Sequence, residues 1–536
     1  MSTMNQTPNY IYSNILQLIL NNYNYPSFYL NFIQKFTLIT SQWNRDIITR
    51  LCIFKPFNVL RRDDPIFRLI KRYDIHYSIN YVVLFSSFLS DTLPHLEHVE
   101  GISIPLDILD NLQTIFPNLK SLEVTGKSQP LHSIEKYKSI PNVKIVLNSM
   151  DINRKVDIMF NQEIFSKIVL SRCTIASSIN FDSAIGSPIN HKLAVLDLTK
   201  IKIDIRLFKH ILSHSPTLHT LKLMYIPKAL LIDMYNVIIE LSNTLKMPLL
   251  NTFTLINNKT TFDKLIALLN SIRATNVTID LNICLDYKPT SLISNPQIKS
   301  INFGSIEIDD IPHQTITKKK INLFEHWRDF GSLHAINLRG FFQYPLHVNP
   351  VSNFSNLTYF KDTSNCNDDQ IVINKHLNLY SLVLSNGKNL TTFVAYRFMF
   401  KEFIDLLSNP PAMLTKIEFD LLVGCTSESD RDKLFTLLKN NKTIHSLSID
   451  SFHYSTPYGV YKAYLYILKE NHSLVKLKLP FKREGETLTE EILQEFSKWV
   501  TTNTNLIHLA LVTSFNCKLS DLLNKYFIIT EPFLKE

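Results

Sequence analysis

The sequence predicts an α/β solenoid, a curved stack with a parallel inner sheet and outer helices, preceded by a small all-helical module. Three observations predict it. A motif of the form apolar-x-x-apolar-x-apolar recurs in the last third of the chain, as Leu414-x-x-Ile417-x-Phe419, Ile444-x-x-Leu447-x-Ile449, Leu474-x-x-Leu477-x-Leu479 and Leu506-x-x-Leu509-x-Leu511. The first residues of these copies lie 30, 30 and 32 apart, and a fixed period of that size marks stacked supersecondary units. Residues 8–51 follow a different pattern and stand apart from the repeat.

Within each copy the last two apolar positions alternate with polar ones, which is the period of a half-buried strand. Between copies the spacing becomes helical: Leu434, Leu437 and Leu438 precede one strand, Tyr464, Ile467 and Leu468 the next, and Ile492, Leu493, Phe496 and Val500 the last. One helix and one strand cannot bury their apolar faces alone, so neighbouring units must stack. Each motif Leu or Ile then contributes on the order of 1.5–3 kcal/mol on full burial. Asn409-Pro410-Pro411 stops a helix before the strand at Leu414.

Further copies read upstream at Leu119-Leu122-Val124, Leu193-Leu196-Leu198, Leu218-Leu221-Leu223, Leu250-Phe253-Leu255, Ile298-Ile301-Phe303, Leu333-Ile336-Leu338 and Leu379-Leu382-Leu384, with Leu357-Phe360 a broken copy. The wide gap after Leu250 predicts one more strand across Val277 to Leu281. The aromatic segment from Asn386 to Phe400 reads as a packed loop between two repeats. Together these motifs resemble the leucine-rich repeat family in its long, helix-bearing form, over roughly residues 90–515. The family's usual Asn or Cys after the last motif leucine is mostly missing. The resemblance implies an irregular leucine-rich-repeat solenoid over residues 93–536, with residues 61–92 as a transition that holds another helix.

Residues 1–60 are expected to form the helical module. Ile11, Ile15, Leu18 and Ile19 fall at helical spacing, and Pro8 sits where a helix can begin. Phe36, Ile39, Trp43 and Ile47 give a second helical stripe after a polar stretch. The pattern resembles an F-box, although Thr7 stands where that family has leucine and the stretch from Asn21 to Lys35 is longer than usual. By resemblance, Pro8, Ile11, Ile15, Ile39 and Trp43 would anchor the adaptor subunit of an SCF-type ubiquitin ligase. The plainer reading is a helical cap over the open end of the solenoid. The docking reading requires an exposed apolar patch; the cap reading requires a buried one.

Composition bounds the remaining classes. The chain has 536 residues, 45% hydrophobic and 19% charged, enough for a large ordered core. Its 10 glycines include no phosphate-binding loop. Asn, Ile, Lys and Tyr are abundant, which fits an AT-rich coding sequence, so single Asn or Lys clusters carry little weight. Cys52, Cys173, Cys284, Cys366, Cys425 and Cys517 are scattered without a C-x-x-C pair, and read as buried small hydrophobes in a reducing compartment. No secretory leader and no membrane-length apolar run is read, the longest being near Tyr81 to Leu89. The expected compartment is the cytoplasm, with the nucleus open to the chain as well.

Net charge is +9, which raises nucleic acid as a partner. The strand register argues against it. Residues alternating with the buried ones line the concave face, where Lys222, Arg339, Lys361, Lys416, Lys476 and Lys478 meet Glu123, Asp197, Glu418, Asp420 and Asp450. That surface is mixed rather than basic, so protein partners rank first, with Tyr359, Lys416, Lys476, Lys478 and His508 as contact candidates. Lys318-Lys319-Lys320 reads as a solvated loop. His219 and His445 sit at the second motif position and His508 at the third, so they form no ligand ladder. Asp63-Asp64 and Asp368-Asp369 are loop carboxylates with no nucleophile or base placed beside them. No catalytic, cofactor or metal residue is assigned. The expected function is protein recognition, either as a ligase substrate receptor or as a capped repeat scaffold.

Overall fold

A computed structural model describes residues 9–21, 26–37, 39–58, 65–80, 96–102, 112–126, 137–152, 159–160, 163–175, 189–285, 292–304, 306–308, 319–321, 326–328, 330–339, 341–342, 353–363, 365–366, 370–424, 427–452, 460–479, 488–503, 505–511, 517–526 and 528–531. Pro8, Asp63-Asp64, Tyr81 to Leu89, Lys318 and Asp368-Asp369 lie outside them. The chain divides into two compact units, Met1–Thr254 and Leu255–Glu536.

Three helices open the first unit: α1 (Asn9–Asn21), α2 (Pro26–Thr37) and α3 (Ser41–Asp46). The second stripe, expected as one helix, is broken. Helix α2 ends at Thr37, and the Thr40 hydroxyl caps α3 by accepting from the Trp43 N–H at 3.0 Å. The stretch expected to be polar holds most of α2, because Tyr29, Phe32 and Ile33 give that helix a buried face.

Strands follow from Cys52, inside the span expected to be helical. They are β1 (Cys52–Asn58), β2 (His76–Asn80), β3 (Leu96–Ile102), β4 (Ser121–Gly126), β5 (Asn142–Asn148), β6 (Phe165–Ser171), β7 (Val195–Thr199) and β8 (Thr220–Met224). Each pairs in parallel with the next. Helix α4 (Pro65–Tyr73) connects β1 to β2, and α5 (Ile205–His214) connects β7 to β8. Helix α6 (Lys228–Asn243) leads to β9 (Leu250–Ile256), the strand that contains the division.

The second unit repeats the plan. Its helix α7 (Phe262–Ser271) precedes β10 (Ala274–Asp280), which is the strand expected in the wide gap. Parallel pairing continues through β11 (Ser300–Phe303), β12 (Ala335–Leu338), β13 (Tyr359–Asp362), β14 (Thr392–Met399), β15 (Lys416–Val423), β16 (Ser446–Phe452), β17 (Lys476–Leu479), β18 (His508–Leu511) and β19 (Ile529–Glu531). Helices α8 (Gln370–Asn386), α9 (Phe400–Ser408), α10 (Glu428–Asn440), α11 (Val460–Leu468), α12 (Glu490–Thr502) and α13 (Cys517–Lys525) alternate with the later strands.

Two readings are corrected here. Leu379-Leu382-Leu384 lies inside α8, where three-residue spacing serves a helical face as well as a strand motif. The repeat copy is instead Leu390-x-x-Phe393-x-Ala395, so the supposed aromatic loop is β14, with Phe393, Ala395 and Phe398 buried. Lys319 and Lys320 sit in a short strand, Lys319–Ile321, antiparallel to Ile306–Ile308, rather than in a loop.

The motif residues form the core. Leu221, Leu223, Ile301, Leu338, Ile417, Leu447 and Leu477 have no exposed surface. The broken copy has a specific cause: Asp362 occupies the third motif position, in register with Leu338 and Ala395. It is 0% exposed and accepts from the Tyr380 hydroxyl at 2.9 Å.

Asparagines close the turns that lead into several strands. Asn190, Asn295, Asn441, Asn471 and Asn503 each stand three residues before the first motif Leu or Ile. The Asn471 Oδ1 accepts from the Ser473 and Leu474 amides at 2.9 Å each, while its Nδ2 donates to the carbonyls of Leu438 at 2.6 Å and Asn441 at 2.9 Å. One side chain thus closes its own turn and satisfies carbonyls at the end of α10, the helix of the repeat before. Asn295 does the same with the carbonyls of Leu269 and Ile272.

A second recurring turn leaves the strands. Ser149, Arg172, Lys200 and Tyr225 in the first unit, and Asn257 and Leu281 in the second, follow successive strands with φ between 50° and 56°. Left-handed backbone at non-glycine residues costs energy. It persists because the amide is then held by the next strand, as in Arg172 N–H to Thr199 at 2.8 Å and Lys200 N–H to Met224 at 2.9 Å. With so few glycines in the chain, ordinary side chains take these positions.

Candidate recognition surfaces

Helix α1 has two working faces. Leu16 and Leu20 are buried inward, and Gln17 lies beside them. The Gln17 amide bonds both backbone groups of Cys52, donating to its carbonyl at 2.7 Å and accepting its N–H at 2.8 Å. A side chain thereby takes the place of a neighbouring strand at the start of β1, and Pro56 in the same strand offers no N–H for pairing. This is a cap.

The opposite face is apolar and open. Tyr12, Ile15 and Leu18, spaced three apart on α1, are 37%, 49% and 65% exposed. Ile39, between α2 and α3, is 48% exposed. Trp43 is half-buried, with its ring 5.4 Å from that of Tyr12, which ties α3 to α1. Of the expected anchors, Ile15 and Ile39 are thus exposed, Ile11 and Trp43 half-buried, and Pro8 outside the described residues. Tyr12 and Leu18 were not singled out as anchors. A helical wheel that placed Leu16 and Leu20 inward would have found them, but it also needs polar Gln17 at the buried edge, which hydropathy alone argues against.

Near the cap, Glu97 is buried under three bases: Lys120 Nζ at 2.6 Å, His76 Nδ1 at 2.8 Å and His98 Nε2 at 3.8 Å. Burial works to raise its carboxyl, but the hydrogen bond and charge of Lys120, then the two imidazoles, hold it below the ordinary value. The Cys52 thiol, 3.8 Å from Glu97, is pushed up to about 12 by burial and by that carboxylate, so it is no nucleophile.

The other surface is the open face of the sheet, opposite the buried motif residues. In the second unit, Tyr359, Thr392, Lys416, Ser446, Lys476 and His508 align in one register level. Lys361, Val394, Glu418, Ser448 and Lys478 align in the next. The structure therefore brings the expected contact residues onto one face. Tyr359 and Lys476 are half-buried, whereas His508 keeps only 9% of its surface. Lys416 pairs with Glu418 at 3.1 Å and Lys478 with Asp450 at 2.7 Å. In the first unit Asp197 alternates along its strand with buried Leu196 and Leu198 and lies 3.7 Å from Lys222; burial raises its carboxyl against the pull of Lys222 and Lys167.

On the helical side, Lys439, Lys462, Leu465, Tyr466, Lys469, Glu470, Glu491, Ile492 and Glu495 line a shallow cavity of about 350 Å³. Lys439–Glu470 and Lys469–Glu495 cross it at 3.5 and 2.9 Å, joining α10 and α12 to the turn that follows α11. That pattern clamps successive repeats. Among the described residues no helix is long and apolar enough to cross a membrane.

No protein-family model matches the chain, and no curated protein matches it. Solved structures do. An internalin from Listeria monocytogenes is 14% identical, with 80% of this chain and 96% of that one covered and a TM-score of 0.34. TLR13 in its complex with ssRNA13 is 14% identical, with 86% and 66% covered and a TM-score of 0.42. The APL1 leucine-rich repeat domain is 11% identical, with 86% and 92% covered and a TM-score of 0.24. Likenesses this distant concern the fold alone and carry no argument about function. The leucine-rich-repeat architecture stands on the chain's own parallel ladder, its buried Leu-x-x-Leu-x-Leu positions and the helices between them.

Proposed function

We propose that the chain is a non-catalytic recognition protein: the open sheet face holds a protein target, and the outer face of α1 docks the adaptor of an SCF-type ubiquitin ligase. The observation that carries this reading is the exposed triplet Tyr12, Ile15 and Leu18 on a helix whose other face already serves the cap. A helix needed only as a cap has no use for three large apolar side chains in water. Tethering a target beside a ligase would make transfer quasi-intramolecular, which requires no chemistry from this chain.

A second reading, a capped scaffold without a ligase link, draws support from the Gln17–Cys52 pairing, which accounts for α1 as a structural element alone. Co-purification of the full chain with SCF adaptor and cullin separates the two. Under the receptor reading the wild type retains both and the Ile15→Asp/Leu18→Asp variant, folded as judged by melting, retains neither. Absence of both from a folded wild type leaves the scaffold.

A further inference from the structure

The open face of the second unit carries its charges in a fixed order. Along one register level, β13 to β17 present Lys361, Val394, Glu418, Ser448 and Lys478: basic, neutral, acidic, neutral, basic. Adjacent strands lie about 4.8 Å apart, so successive charges are about 10 Å apart, the reach of about three residues of extended chain. On the flanking level a base, Lys416, stands on β15, where its pairing with Glu418 at 3.1 Å cancels it. Lys476 adds a base on β17, and Arg339 adds one beside Tyr359 on the other side. Asp420 and Asp450 add carboxylates in the middle, and burial followed by the Asp450 charge raises the Asp420 carboxyl against the pull of Lys361 and Lys478. Lys416 and Lys478 each neutralise one acid, which leaves Asp420, in the centre of the face, without an ion pair among the described residues.

We infer that this face binds an extended protein segment lying across the strands, with a basic residue flanked on both sides, three residues away, by acidic ones. The segment's base would sit beside Asp420, and its acids would meet Lys361 with Arg339 on one side and Lys476 on the other. Reversing the order would set like charges together at all three points, so the face discriminates as well as attracts. The inference rests on the reading that the open face is where the target binds.

The test uses the full chain and two fluorescein-labelled 13-residue peptides, one centred on Glu-Gly-Ser-Lys-Gly-Ser-Glu and one with Lys and Glu exchanged. At low ionic strength the first should bind at least about tenfold more tightly than the second, and 0.5 M salt should remove most of the difference. Asp420→Lys and Lys476→Glu should each weaken the first peptide by about tenfold without changing the melting temperature. Hydrogen exchange with the peptide bound should slow over β13 to β17. Equal binding of both peptides on this face, or no binding of either, overturns the charge order. Binding that protects the helices instead of the strands overturns the open-face reading itself.

Discussion

Asn471 closes a buried turn by accepting from two amides of its own repeat and donating to two carbonyls of the repeat before. Asn471→Ala should cost about 2–3 kcal/mol locally and speed amide exchange at Ser473 and Leu474 roughly a hundredfold. Unchanged exchange there would show that the turn holds without the side chain. In the sequence these asparagines are indistinguishable from compositional bias, because a frequent residue signals little until its position is tied to a repeat. Asp362 was legible only as a defect in the motif; its Tyr380 partner comes from a helix that the motif search had taken for a strand. Asp362→Leu alone should lower the melting temperature, since it strands the Tyr380 hydroxyl, whereas Asp362→Leu with Tyr380→Phe should melt at least as high as the wild type. A double variant less stable than the single one would contradict the pairing.

Individual helices carry their own consequences. On α5, the His210 and His214 rings stack at 4.1 Å, and burial followed by the His214 charge lowers His210 to about 4. The folded state therefore resists a proton that the unfolded chain accepts near 6.5. Stability from this group is whole above pH 6.5 and is lost as pH falls toward 4. His210→Gln should flatten melting temperature across that window, and an unaltered pH profile would show that His210 takes up its proton freely when folded. On α1 the two faces should respond differently. Leu16→Asp should unfold the cap and expose the edge of β1, while Ile15→Asp should leave melting within about 1 °C because the site already faces water. Comparable losses from both would mean that the outer face is covered. The existence of α1 was plain from apolar spacing, but its inward face was not. The expected stripe through Ile15 and Leu18 points to water, and the buried side includes polar Ser13.

Across the whole chain, the regular copies from Leu414 to Leu511 were readable because period, alternation and helical spacing agree there. Where they disagree the sequence misleads: Leu379 to Leu384 satisfies the strand motif inside a helix, and the strands before residue 90 lack the leucines that would announce them. The placement of charged residues on the open face followed from register alone, since a period of two fixes which side chains share a side. Which apolar residues on α1 remain in water did not, because that depends on what β1 and α3 cover.

The proposal at this scale is that α1 caps the sheet with one face and docks an adaptor with the other, so that docking should also steady the edge strand. Hydrogen exchange over Asn9–Asn58, with and without the SCF adaptor, tests it most directly. With both faces in use, the adaptor should slow exchange in α1 and α3 and, through the Gln17 bonds, at Cys52. Identical exchange at saturating adaptor, or protection confined to the open sheet face, would contradict it.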